Sequence, residues 1–393
     1  MEAFFRTHRY LVDHVKAPVR RTLMDELNWN DRMIGIKGTR GVGKTTFLLQ
    51  YAKEHFDVQD KQCLYINMNN FYFQERGIAD FAGEFYYKGG RVLLIDQVFK
   101  QPEWSKELRR CYDEHPGLKI VFTGSSVMRL KEENPELNGI VKSYNLRGFS
   151  FREFINLKTG YSLRPYSLDE ILHDHESIIK QILPKVTPSK YFQDYIHHGF
   201  YPFFQEDRNY SENLLKTMNM MTEVDILLIK QIELKYLTRI KKLFYQLAEE
   251  GPKAPNVSKL AKQIGTSRAT VMNYIKYLTD ARLLNMIYPV GEDFPKKPAK
   301  VMLHNSNLLY AIYPIHVEKQ TAMETFFVNS LWKDHKINQG DRNTYIVDDK
   351  LRFRICDADT HKMRYTQDTI YARYNTEIGK DNQIPLWLLG FLY

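Results

Sequence analysis

Gly38-Thr-Arg-Gly-Val-Gly-Lys-Thr45 decides how the first part of this chain is read. Its spacing, Gly-x-x-x-x-Gly-Lys-Thr, is that of a loop that wraps phosphate groups. Glycines let successive backbone N–H groups converge on phosphate oxygens, and the helix that follows turns its positive end toward them. In such a loop Lys44 reaches the β- and γ-phosphates and Thr45 offers a hydroxyl to Mg²⁺. The nucleotide-binding set is therefore Gly38, Gly41, Gly43, Lys44, Thr45 and Thr46, with ATP and Mg²⁺ as the expected ligands. Both flanks agree. Met33-Ile-Gly-Ile-Lys37 reads as an apolar strand before the loop, and Thr46-Phe-Leu-Leu-Gln-Tyr-Ala opens a helix after it. A chance Gly-rich turn would need neither flank.

Working outward, three more apolar runs recur with helical stretches between them: Cys63-Leu-Tyr-Ile-Asn67, Arg91-Val-Leu-Leu-Ile95 and Lys119-Ile-Val-Phe-Thr123. Near-continuous apolar runs suit strands buried on both faces of a parallel sheet, and their alternation with helices makes the class α/β. Asp96 ends the third run, where a carboxylate would hold Mg²⁺ through water. Residue 97 is Gln, which can orient a water but is a poor base, so binding is expected to survive while turnover slows. Thr123 and Ser125, at the end of the fourth run, are candidates to sense the γ-phosphate; a turn rich in small residues explains either one alone equally well.

The charge is uneven. Residues 236–300 hold 12 Lys and Arg against 5 Asp and Glu, a net +7 out of +9 for the whole chain. That is the footprint of a polyanion-binding module. Within it, Val257-Ser-Lys-Leu-Ala-Lys-Gln-Ile264, Gly265-Thr266 and Ser267 to Leu278 read as helix, turn, helix. Ser267 suits an N-cap. Val271, Ile275 and Leu278 form the inward stripe, leaving Thr270, Asn273, Lys276 and Tyr277 outward, where a recognition helix presents side chains to double-stranded DNA. Arg268, with Lys259, Lys262 and Arg282, suits phosphates. A purely structural lid is the competing reading of this segment.

Three cysteines, Cys63, Cys111 and Cys356, are too few and too scattered for a disulfide framework or a Cys-based zinc site. No apolar run is long enough for a signal-peptide core or a membrane span, so a cytoplasmic protein without a membrane partner is expected. His173-Asp-His175 suggests metal less than it does a solvated helix face, since no third ligand lies nearby.

Taken together, Gly38 to Thr46, Gly89-Gly-Arg-Val-Leu-Leu-Ile-Asp96, Val121-Phe-Thr-Gly-Ser-Ser126, Leu146-Arg-Gly-Phe-Ser-Phe-Arg-Glu-Phe154, Gly199-Phe-Tyr-Pro202, Lys297-Pro-Ala-Lys300, Glu324-Thr-Phe-Phe327 and Ile384 to Tyr393 resemble one family. It is that of bacterial and archaeal AAA+ ATPases carrying a winged helix and a C-terminal restriction-endonuclease-like domain. The resemblance implies a P-loop ATPase domain over residues 1–157, a helical lid over 158–235, a winged helix over 236–300 and a nuclease-like domain over 301–393. It also implies roles for Lys44, Asp96, Gln97 and Thr123 in ATP hydrolysis. It leaves a homo-oligomer open.

Departures from the family are as informative. The family has Glu where Gln97 stands. An arginine finger for a neighbouring site is missing from Leu137-Asn-Gly-Ile140, leaving Arg129, Arg147 or Arg152 as substitutes. Active nuclease relatives hold Mg²⁺ with an Asp and a Glu-x-Lys; those positions fall here on Thr344, Arg354 and Cys356, with only Glu324 remaining. The expectation is a degenerate scaffold or DNA-contacting remnant, unless Asp348, Asp357 or Asp359 acts in a displaced alignment. The favoured function is a nucleotide-gated, DNA-associated switch with slow hydrolysis. A non-enzymatic ATP-holding scaffold is the alternative, and a metal-dependent nuclease a weaker one.

Overall fold

Five parallel strands carry the first half of the chain: β1 (Met33–Gly38), β2 (Cys63–Asn67), β3 (Val92–Asp96), β4 (Lys119–Ser125) and β5 (Lys142–Asn145). The computed structural model describes residues 1–393 apart from 129, 131–132, 206–208, 228–229, 342–343 and 360–364. The strand order is β2-β3-β4-β1-β5. β3 and β4 are buried almost throughout because nearly every residue in them is apolar. β5, Lys142-Ser-Tyr-Asn, is polar and mostly exposed, as an edge strand can be. It gave no apolar signal, yet it pairs with β1 from Ile34 opposite Lys142 to Lys37 opposite Asn145. Helices α1 (Glu2–His14), α2 (Leu23–Glu26), α3 (Lys44–His55), α4 (Ile78–Tyr87) and α5 (Trp104–Glu114) complete this unit. Leu48, Phe81 and Leu108 from them are fully buried, and burying a side chain of that size contributes about 1.5–3 kcal/mol.

The chain divides into two compact units, Met1–Gly148 and Phe149–Tyr393. The division falls before the boundary read near Leu157 because α6 (Phe151–Thr159) packs with the second unit. There Phe151 touches Phe391 and Arg152 donates to the carbonyls of Leu163 at 2.8 Å and Tyr393 at 3.1 Å. α6 begins at a capping box, in which the Ser150 hydroxyl accepts from the Glu153 N–H while the Glu153 carboxylate accepts from that of Ser150, both at 3.1 Å.

Beyond it come α7 (Leu168–Ile182), α8 (Ser189–Asp194), α9 (Tyr210–Met220), α10 (Leu237–Glu250), α11 (Val257–Ile264) and α12 (Arg268–Asp280). α11 ends at Gly265, whose left-handed φ of 67° closes the helix without a Cβ penalty. The Ser267 hydroxyl caps α12 by accepting from Thr270 N–H. Val271, Ile275 and Leu278 are each fully buried. β6 (Leu284–Ile287) then pairs antiparallel with β7 (Lys300–Leu303).

α13 (Ser306–Ile312) and α14 (Lys319–Leu331) precede a second sheet of β8 (Ile337–Gln339), β9 (Thr344–Val347), β10 (Leu351–Asp357), β11 (Thr369–Tyr374) and β12 (Gln383–Pro385). Its order is β12-β11-β10-β9-β8. The β8–β9 and β9–β10 pairs are antiparallel, whereas β10–β11 and β11–β12 are parallel. Phe327 of α14 meets Tyr345 and Phe353, which fixes the face of this sheet that the helix covers. No helix among the described residues is long and apolar enough to cross a membrane.

Candidate functional site

The glycine-rich loop leaves β1 at Gly38 and enters α3 at Lys44. Gly41 and Gly43 sit at φ values of 79° and 93°, conformations that strain any side chain. Gly38 is fixed by space instead: a Cβ there would come within 2.5 Å of the Leu146 carbonyl oxygen. No side chain caps α3, so its first-turn N–H groups keep the orientation that an anion needs. The Lys44 ammonium lies back on the loop, donating to the carbonyls of Gly38 at 2.8 Å and Thr39 at 2.7 Å. Arg21, buried at 7% exposure, braces the loop from outside. Its Nη1 donates to the Val42 carbonyl at 3.0 Å and its Nη2 to those of Arg147 at 2.6 Å and Gly148 at 3.1 Å.

Sheet order brings the rest of the site together. β4 lies between β1 and β3, so Thr123 comes between the loop and Asp96. Asp96, 1% exposed, accepts at Oδ2 from the Thr45 hydroxyl at 2.6 Å and the Tyr65 hydroxyl at 2.9 Å. Its Oδ1 accepts from the Thr123 hydroxyl. The same Thr123 oxygen accepts from the Gln97 N–H at 2.9 Å. Gln97 holds a left-handed φ of 58°, a conformation that costs a non-glycine residue about 1–3 kcal/mol and clusters at functional sites. Burial, then the charge of Asp96, pushes the Tyr65 phenol upward, so it stays a donor. Thr45 and Asp96 thus present hard oxygen ligands side by side, a donor pair that would suit Mg²⁺. Ser125 is buried at the end of β4.

Tyr65 and Asn67 were absent from the sequence reading. Asn67 closes β2 and Tyr65 lies two residues before it; Asn67 is the register partner of Asp96, its side-chain amide 3.4 Å from Oδ2. The signal that could have found them is a polar residue closing an otherwise apolar strand. Of the arginines considered as fingers, Arg129 lies outside the described residues. Arg147 contributes its carbonyl to Arg21, and Arg152 holds the C-terminal residue in place.

In the second unit the four positions expected to face DNA differ. Arg268 and Asn273 are exposed; Thr270 is half-buried and within 2.9 Å of the Ser267 hydroxyl. Lys276 is half-buried and already donates to Asp280 at 2.5 Å. The nuclease-like positions do not converge. Thr344 and Arg354 are direct cross-strand partners, and Cys356 follows two residues later on the same face. Glu324 lies on the other face, bonded to the Tyr345 hydroxyl at 2.6 Å and the Lys300 ammonium at 3.1 Å. Burial also pushes the Cys356 thiol upward. Asp348 is held by His335 at 2.7 Å, and Asp357 by Asn375 at 2.9 and 3.0 Å. Among the described residues no group of three or more His, Cys, Asp or Glu is placed to hold a metal ion. His173 donates from Nδ1 to the Asp169 carbonyl, 2.9 Å away, and His175 is buried.

Residues 30–155 match the AAA domain family, and residues 189–320 match a domain of unknown function. The first of these matches lies mostly within the first unit and is consistent with nucleotide binding at the loop. An uncharacterized protein of Methanocaldococcus jannaschii is 26% identical over 284 residues. That match covers 68% of this chain and 59% of the relative, less than two thirds of its length. Among solved structures, a Thermotoga maritima RuvB variant is similar at 15% identity, covering 81% of this chain and 96% of that one, with a TM-score of 0.29. An Aeropyrum pernix ORC1 protein, solved in complex with DNA, is similar at 12% identity over 79% and 91% of the two chains, also at 0.29.

Proposed function

We propose that this chain is an ATP- and Mg²⁺-binding switch that associates with nucleic acid and hydrolyses ATP slowly. One observation carries the proposal: Thr45 and Asp96 stand 2.6 Å apart beneath a phosphate-wrapping loop. Lys44 and the uncapped start of α3 supply the positive field for phosphates, and Thr45 with Asp96 would hold the metal. The metal's chemistry is to neutralise charge on the β- and γ-phosphates. Thr123 holds Asp96 and the Gln97 backbone in one arrangement. Gln97 can orient a water but offers no carboxylate to take its proton, which favours a long-lived bound state.

The same proposal takes residues 158–235 as lid, 236–300 as winged helix and 301–393 as a nuclease-like scaffold in a cytoplasmic, self-associating protein. Paired strands after two helices support the winged helix, and its net charge of +7 supports a nucleic-acid partner. A non-enzymatic scaffold that only holds ATP is the second reading, favoured by Gln97. Cleavage of nucleic acid is not proposed, since Glu324 and the other three positions occupy opposite faces of the sheet.

The test is steady-state ATP turnover by the chain beside its Gln97→Glu variant, each with and without DNA. A general base contributes about 10²–10⁴-fold, so Gln97→Glu is expected to raise turnover by at least tens of fold. Equal rates would show that another group activates water. Absence of turnover from both, with ATP still bound, would favour the scaffold.

A further inference from the structure

The outer face of α12 does not stand clear of the molecule. Thr270, Asn273 and Tyr277 of that helix line an open groove of about 440 Å³ together with Tyr236 and Arg239, and its other charged lining residues are Lys230 and Glu233. A helix that enters a duplex major groove has to project, because that groove is only wide enough for the helix itself. A recess does the reverse: it admits something thinner than a helix. What it offers is aromatic. The Arg239 guanidinium lies 5.6 Å from the centre of the Tyr236 ring, and the Tyr274 and Tyr277 rings are 6.4 Å apart. Tyr236 and Tyr277 are half-buried, the Lys235 ammonium also lies 5.0 Å from the centre of the Tyr236 ring, and Asn273 is exposed and carries both a donor and an acceptor.

Resting on the nucleic-acid reading above, we propose that this groove takes an unpaired base of a single-stranded nucleic acid. The base stacks on Tyr277 and Tyr236, its edge meets Asn273 and Thr270, and Arg239 lies against the neighbouring phosphate. Three points favour that occupant. The segment is strongly cationic, as a polyanion requires. Its ring faces accept any base, because every base has a π-face. The volume suits one nucleotide-sized group, lying within the ordinary range for small ligands.

The experiment is fluorescence anisotropy on the full chain, with a labelled single strand of about 12 nucleotides and with its duplex, since such sites span about 4–16 nucleotides. Single strand is expected to bind more tightly than duplex. Tyr277→Ala and Tyr236→Ala should each weaken the single strand by roughly 5- to 100-fold, the fold-change equivalent of losing one stacked base, and leave duplex binding unchanged. Tyr277→Phe and Tyr236→Phe keep the ring and should keep the affinity, which separates stacking from a folding defect. Alanine variants within twofold of the parent chain, or phenylalanine variants that fall equally, would overturn the inference. Single-strand binding lost with Arg268→Ala but indifferent to the tyrosines would overturn it too, while sparing the broader reading. Binding to neither form would remove both.

Discussion

Replacing Thr123 by valine removes one oxygen and preserves the shape of a fully buried side chain. That oxygen makes two bonds at once. It donates to Asp96 Oδ1 and accepts the Gln97 N–H at 2.9 Å. A hydrogen bond to a charged group contributes about 1.5–3 kcal/mol, and a buried N–H left without a partner costs about 1–3 kcal/mol. Gln97 is only half-buried, so water recovers part of the second term. Asp96 keeps the Tyr65 and Thr45 hydroxyls, which limits the first. The expected destabilisation of the first unit is therefore about 2–4 kcal/mol. Because the chain has two compact units, a single global unfolding curve would blur the result. Hydrogen–deuterium exchange over peptides covering residues 92–100 reads the effect where it occurs, and denaturant unfolding of the first unit gives its size. Thr123→Ser keeps the hydroxyl and should restore most of the loss. ADP affinity should stay within about twofold, since the loop itself is untouched. If Thr123→Val shifts neither exchange nor stability by more than about 0.5 kcal/mol, the hydroxyl is not the brace described here.

Other outcomes follow from the same geometry. Lys44→Ala removes the ammonium that would reach the phosphates and should raise the Kd for ATP by at least tenfold, one charge-assisted bond being about 1.5–3 kcal/mol; an unchanged titration would displace the site from this loop. Arg268→Ala should weaken nucleic-acid binding and lower its salt slope by about one, whereas Lys276→Ala should do less, because Lys276 is already paired with Asp280; equal losses would contradict that pairing. His8 accepts the Tyr65 N–H at 3.0 Å, and burial lowers its pKa to about 4. The native state thus resists the proton that the unfolded chain takes up near pH 6.5. Stability is full above that pH and falls by about 3 kcal/mol on acidification toward pH 4. A His8→Gln variant whose pH profile between 6.5 and 4 matches that of the parent would show that another group sets it.

Much of the first unit was open to the sequence because its signals are local. Gly41, Gly43 and Lys44 announce the loop by backbone freedom and charge within eight residues. Four apolar runs announce four strands, since a strand buried on both faces needs no polar position. β5 escaped because an exposed edge strand owes its existence to the backbone of β1 and not to its own side chains. Tyr65 and Asn67 escaped for a related reason. Their nearness to Asp96 depends on β2 lying beside β3, and strand order is set by how helices cross the sheet rather than by any residue in the strand. The capping residue Ser267 and the buried stripe at Val271, Ile275 and Leu278 were legible from helical periodicity.

What that periodicity left open was the surroundings of the opposite face. It marks Thr270, Asn273 and Tyr277 as outward, but only the packed chain brings Tyr236 and Arg239 to line the same groove. In the last sheet, likewise, sequence supplied the candidates Glu324, Thr344, Arg354 and Cys356. Register and the side on which α14 packs divide them between two faces. Sequence by itself determined the loop chemistry and the buried strands, because those depend on spacings of a few residues. Tertiary structure alone decided which side chains meet, because pairing between distant strands is fixed by the whole core at once.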